Sequence, residues 1–164
     1  QTSRPQAGLL LTRLSLALDS RVWASAPVLC EWLSGQLEPG DAVLELGSGT
    51  GAVGLYAAAL GASRVVLTDG GPPALLELLA ANVDANRPLL PEAACLEVAQ
   101  LQWGTDADRL PAGPFAWVCG SDTTYDEEVR GPQRTLYSTR QAVATRVSAV
   151  ATCAQPMTVH ASKP

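Results

Sequence analysis

Gly47-Ser48-Gly49-Thr50-Gly51 lies between a run suited to a buried strand, Ala42-Val43-Leu44-Glu45-Leu46, and a stretch rich in Ala and Leu, Ala52 to Leu60. A glycine loop in that position is informative, because it ties a parallel-sheet strand to the start of a helix. Glycines allow the tight turn and leave no Cβ to block a ligand. The amides at the helix start attract electron-rich groups. Asp69 follows Gly49 by twenty residues and ends the next strand-like run, Arg64 to Asp69. A carboxylate there can accept hydrogen bonds from both hydroxyls of a ribose.

The rest of the chain repeats the strand–helix alternation. Leu14, Leu16 and Leu18 alternate with polar or small residues and predict a half-buried strand. Ser25 is placed to cap a helix with Pro27 in its first turn, Val28, Leu29, Trp32 and Leu33 on one face, and Gly35 at its end. Gly61 ends the Ala-rich helix. Pro72 to Asn86 predicts a further helix with Leu75, Leu76, Leu79 and Val83 inward. Cys95 to Leu101 and Phe115 to Cys119 read as a third and a fourth strand, and Glu127 to Val150 as helix interrupted near Gly131-Pro132. A fifth strand is expected to start at Met157-Thr158-Val159-His160. This order predicts an α/β fold, a mostly parallel sheet with helices on both faces. A sixth and a seventh strand are not expected, and the C-terminal strands read as missing or divergent.

Composition narrows the function classes. The 47% hydrophobic and 16% charged content is globular. The net charge of −5 gives no support for a phosphate-backbone partner. Cys30, Cys95, Cys119 and Cys153 are scattered, with no C-x-x-C pair, so neither zinc nor a redox motif is indicated. Isolated thiols suit a reducing compartment, and cytoplasm, with nucleus as a second location, is the expected setting. The apolar run at Leu9-Leu10-Leu11 falls far short of the roughly 20 residues of a membrane span. The initial Gln suggests a fragment or processed product.

A dinucleotide dehydrogenase would use Gly47, Gly49 and Ala52 as its glycine fingerprint. Glu45 argues against it: a carboxylate two residues before the loop would repel pyrophosphate and suits a ligand with a cationic end.

Several further stretches carry a resemblance. They are Arg21-Val22-Trp23-Ala24-Ser25-Ala26-Pro27-Val28-Leu29-Cys30, Val43 to Gly54, Val66-Leu67-Thr68-Asp69, Asn82-Val83-Asp84-Ala85-Asn86, Leu101-Gln102-Trp103-Gly104 and Gly120-Ser121-Asp122-Thr123-Thr124-Tyr125. In this order and spacing the chain resembles the class I, seven-strand methyltransferases dependent on S-adenosyl-L-methionine (SAM). Within them it is similar to the protein-lysine methyltransferases called methyltransferase family sixteen. Each motif alone is weak; together they span about residues 20 to 130.

The resemblance implies a Rossmann-like doubly wound fold and SAM as cofactor. It implies that Trp23 and Ser121 line the cofactor pocket, that Gly47, Ser48 and Gly49, in the loop that Gly51 closes, approach the methionyl part, and that Asp69 holds the ribose. Glu45 would then face the amino and sulfonium groups. Trp103 would pack on the adenine, and Asp122 and Tyr125 would form the catalytic rim where the methyl donor meets an acceptor lysine of a protein. No metal, nucleic acid or membrane is implied. Trp23 and Trp103 also suit ordinary core packing, Asp122 a cap for the segment after it, and Tyr125 a buried packing site. His160 reads as a surface residue.

Two departures stand out. Ala116 occupies a position where many family members have Asp, which puts a local hydrogen bond in doubt. Residues 131–164 do not match well and read as a divergent tail, so residues 1–164 are expected to form a single, incomplete methyltransferase domain from a truncated or alternatively spliced product. The alternatives are a methyltransferase for small molecules or nucleic acids and a catalytically inactive SAM-binding module. Asp-Thr-Thr-Tyr differs from the Asn/Asp-Pro-Pro-aromatic signature of many nucleic-acid amino-group methyltransferases.

Overall fold

Val43, Leu44, Glu45 and Leu46 are all buried, as are Val65 to Thr68, the pattern of strands covered on both faces. The computed structural model describes residues 22–103, 111–123, 149–152 and 158–161. Within them the elements are α1 (Ser25–Gln36), β1 (Ala42–Leu46), α2 (Ala52–Ala59), β2 (Arg64–Asp69), α3 (Pro73–Asn86), β3 (Cys95–Gln100), β4 (Trp117–Ser121), β5 (Ala149–Thr152) and β6 (Thr158–Ala161). The expected strand at Leu14–Asp19 and Tyr125 lie outside the described residues, as does the expected helix up to residue 148.

The sheet runs β3-β2-β1-β4-β5-β6. Its first five strands are parallel, and β6 pairs antiparallel with β5. Strand order reverses between β1 and β4, where Glu45 pairs with Cys119. This is the point at which such sheets bind ligands, outside the carboxyl ends of the strands.

Side chains alternate between two cores. Val43, Val65, Leu67, Trp117 and Cys119 pack with Leu29 and Leu33 of α1, Val53 and Leu55 of α2, and Leu79 and Val83 of α3. Leu44, Leu46, Val66 and Val118 pack on the opposite face with Leu101 and Phe115. Trp32 of α1 meets Trp117 edge-on, with ring centroids 5.6 Å apart.

Several expectations change. Ala24, not Ser25, is the N-cap of α1 and makes no side-chain cap hydrogen bond; the Ser25 hydroxyl is engaged elsewhere. Gly35 lies inside the last turn of α1. On α3 Leu78 takes the buried place expected for Leu76, joined by Asn82 and Asn86. β4 starts at Trp117 and runs to Ser121, carrying the site segment to the carboxyl end of the strands, while buried Phe115 precedes the strand. Ala149 and Val150, expected to end a helix, instead open β5. The run expected as a fifth strand is therefore the sixth, β6, so the sheet has the sixth strand that was not expected. Pairing with β4 overrides the weak helical preference of an Ala-rich run.

Candidate active site

The loop after β1 turns through three glycines with positive φ: Gly47 at 69°, Gly49 at 52° and Gly51 at 84°. Packing demands glycine as strongly as the backbone does. A Cβ on Gly51 would lie 2.6 Å from Leu79 Cδ1, and one on Gly47 would lie 2.9 Å from Thr123 Cγ2 and 3.3 Å from the Trp103 ring. Three segments thus converge on Gly47: the loop, Trp103 from the segment after β3 and Thr123 from the segment after β4.

Asp69 ties the loop to the end of β2. Its Oδ2 accepts the Gly49 amide at 2.8 Å and its Oδ1 accepts the Gly71 amide at 2.8 Å. Each carboxylate oxygen can accept more than one hydrogen bond, so the group can also serve a ligand hydroxyl. The Ser48 amide donates to the Thr68 carbonyl at 2.9 Å. From α3, Asn82 Nδ2 donates to the Thr50 carbonyl at 2.9 Å.

Glu45 is fully buried, and its Oε2 accepts the Gly54 amide at 3.0 Å. Gly54 lies in the first turn of α2, where amides lack helical partners. The structure therefore turns this carboxyl toward α2 beneath the loop, not out into the crevice where a cationic ligand was expected. Burial pushes its pKa up to about 8; Ser48 and the Gly54 amide oppose the rise, and Asp69 adds to it. Burial likewise pushes the Cys30 thiol up to about 12, with Glu45 contributing, and raises Cys119. Neither thiol is a nucleophile near neutral pH.

Trp103 Nε1 is buried without a hydrogen-bond partner, and Ser48 Oγ is buried beside the Glu45 carboxyl. The Trp103 ring lies against Gly47 of the loop. Buried polar atoms are nearly always paired, so an unpaired one here suits an added ligand or water.

At the end of β4, Ser121 is half-buried and Asp122 follows with φ of 54°. Asp122 Oδ2 accepts both the Ser25 amide at 3.2 Å and the Ser25 hydroxyl at 2.5 Å. The carboxylate thus meets the first turn of α1; the segment it was also suited to cap lies outside the described residues. Trp23, just before that helix, is 37% exposed.

The structure brings Gly47, Ser48, Gly49, Gly51, Asp69 and Trp103 together, with Ser121 and Asp122 at the end of the adjoining strand. Ser25, Gly71, Asn82 and Thr123 were not singled out as site residues. Asn82 carried a usable signal, a polar residue on the apolar face of α3, and Ser25 and Thr123 lay within the motif stretches; Gly71 carried none. Among the described residues no three His, Cys, Asp or Glu side chains are grouped to hold a metal.

Known proteins resemble this chain in sequence and in fold. The profile of a family described as lysine methyltransferase matches residues 13–155, beyond the motif-bearing stretch on both sides. Protein N-lysine methyltransferase METTL21A of Danio rerio is 43% identical over 115 residues, covering 69% of this chain and 51% of that protein. EEF1A lysine methyltransferase 3 of Mus musculus is 36% identical over 135 residues, covering 74% and 55% respectively. The chain thus spans about half the length of these curated relatives. Among solved structures, precorrin-6y C5,15-methyltransferase of Geobacter metallireducens shares the fold, with a TM-score of 0.60 at 13% identity over 88% of this chain and 69% of that one. So does magnesium protoporphyrin IX methyltransferase of Synechocystis with bound SAH, with a TM-score of 0.56 at 21% identity over 77% and 53%. By its profile match and its curated relatives, this chain belongs to the lysine methyltransferase family.

Proposed function

We propose that this chain transfers a methyl group from SAM to a lysine side chain of a protein. The observation that carries the reading is the convergence at Gly47 of the glycine loop, Asp69 and Trp103, whose buried Nε1 lacks a partner. SAM fits this donor set. Asp69 would hold the ribose hydroxyls, the Trp103 ring would lie on the adenine, and the loop amides with Ser48 would receive the methionyl end. Trp23 and Ser121 would line the pocket. When bound, SAM supplies a methyl carbon on a sulfonium leaving group. The protein's task is then alignment, which can provide several kcal/mol of the barrier. Asp122 and Tyr125 form the acceptor rim in this reading. A carboxylate there draws in a lysine ammonium, and partial burial favours the neutral amine that attacks.

Residues 1–164 are assigned to one methyltransferase domain. The partner is a protein carrying an acceptor lysine, as the names of the curated relatives support. The three free cysteines among the described residues suit the cytoplasm, and no helix among those residues is long and apolar enough to cross a membrane.

Calorimetric titration of the purified chain with SAM and with SAH tests the cofactor, using Asp69→Ala as control. Saturable binding that the control loses supports the reading; a folded chain that binds neither overturns it. Tritiated SAM offered with separate protein and nucleic-acid pools tests the acceptor. Label entering lysines supports it, label entering nucleic acid moves the assignment to that class, and binding without transfer leaves a SAM-binding module.

A further inference from the structure

We propose that Ser25 is a positioning residue: it latches Asp122 to the start of α1 and so sets Thr123 over Gly47 at the mouth of the cofactor crevice. The inference rests on the cofactor reading above and adds to it a residue remote from the glycine loop in sequence.

Three observations form a chain. Ser25 is 1% exposed, and both its amide and its hydroxyl donate to the same oxygen, Asp122 Oδ2. Asp122 adopts φ of 54°, a left-handed conformation that costs a non-glycine residue free energy unless its surroundings hold it. Thr123, the next residue, is 3% exposed, and its Cγ2 occupies the space directly above Gly47. Releasing Asp122 frees the backbone turn that places this methyl, because adjacent residues share a peptide plane. The crevice wall at Gly47 then depends on a contact made at the first turn of α1, 97 residues away in sequence from Asp122. Charge strengthens the latch: hydrogen bonds to a carboxylate are stronger than neutral ones, and the helix N-terminus favours the anion.

The test compares wild type with Ser25→Ala and Ser25→Thr by SAH calorimetry and by the ¹³C methyl resonance of Thr123 in ligand-free protein. Alanine favours helix, and the Ser25 amide remains, so Ser25→Ala retains the fold. The expected result is a Thr123 methyl shift in Ser25→Ala and about tenfold weaker SAH binding. Ser25→Thr, which keeps the hydroxyl, restores both. A role in stability alone would lower the melting temperature and move neither the resonance nor the affinity. An unshifted Thr123 methyl, unchanged SAH affinity in Ser25→Ala, or failure of Ser25→Thr to restore the wild-type values overturns the proposal. If wild type itself does not bind SAH, the cofactor reading fails, and the methyl resonance still decides the latch.

Discussion

Thr123 Cγ2 stands 2.9 Å from the point that a Cβ on Gly47 would occupy, so the end of β4 closes directly over the glycine loop. Gly47 is held there by its φ of 69° as well as by that contact. Gly47→Ala should cost about 1–3 kcal/mol in stability, combining left-handed strain with overpacking. Denaturant unfolding measures the cost, and SAH titration should show binding reduced at least tenfold, since the wall that moves is the wall of the crevice. Wild-type affinity in this variant would place the ligand elsewhere.

Asp69 links two amides, those of Gly49 and Gly71, through separate oxygens. Asp69→Ala should remove both ties and the ribose acceptor together. Loss of SAM binding is expected, with a stability cost of about 2 kcal/mol from two unpaired amides in a partly exposed site. Asp69→Asn keeps one oxygen acceptor and should fall between wild type and alanine in both measurements.

Glu45 gives the protein a pH-dependent stability. Its carboxyl is raised from 4.5 to about 8 by burial, so the folded state holds the proton more tightly than the unfolded chain. Between these values the folded state carries more bound protons, and stability falls as pH rises; below pH 4.5 and above about 8 this contribution levels off. The slope can reach about 1.4 kcal/mol per pH unit. Glu45→Gln keeps a carbonyl oxygen for the Gly54 amide without a titrating group. Its unfolding free energy, followed from pH 5 to pH 8 by denaturant titration, should decline less than that of wild type. Parallel pH profiles would rule Glu45 out as the source.

Asn82 is buried and donates to the Thr50 carbonyl, binding α3 to the loop. Asn82→Ala should leave that carbonyl without its partner and cost about 1–3 kcal/mol. Amide hydrogen exchange should quicken in residues 48–51 more than in β2. Equal protection across both would mean that the loop does not depend on this tie.

Much of the molecule follows from local sequence. β1, β2 and the bounds of α1, α2 and α3 lie within a residue or two of their periodic patterns, because strand and helix periods are short-range properties. The glycine loop and Asp69 were legible for the same reason: a strand, a turn and an acid at the end of the next strand occur at fixed spacing. The choice between Leu76 and Leu78 as the buried residue was not, since both lie near the apolar stripe and the facing strands decide the rotation of α3.

What tertiary structure alone decided is the direction and partner of each polar group. Sequence placed Ser25 at a helix start and Asp122 near a site, but only folding brings α1 against the end of β4 so that one carboxylate oxygen takes both Ser25 donors. Sequence placed Glu45 beside the loop, while the pleat of β1 turned it under α2 onto Gly54. It read Ala149 and Val150 as helix, where parallel pairing to Cys119 and Gly120 made them strand. Apolar pattern specifies which elements form, because burial is non-directional. Hydrogen bonds need both partners placed in three dimensions, and here those partners come from distant parts of the chain.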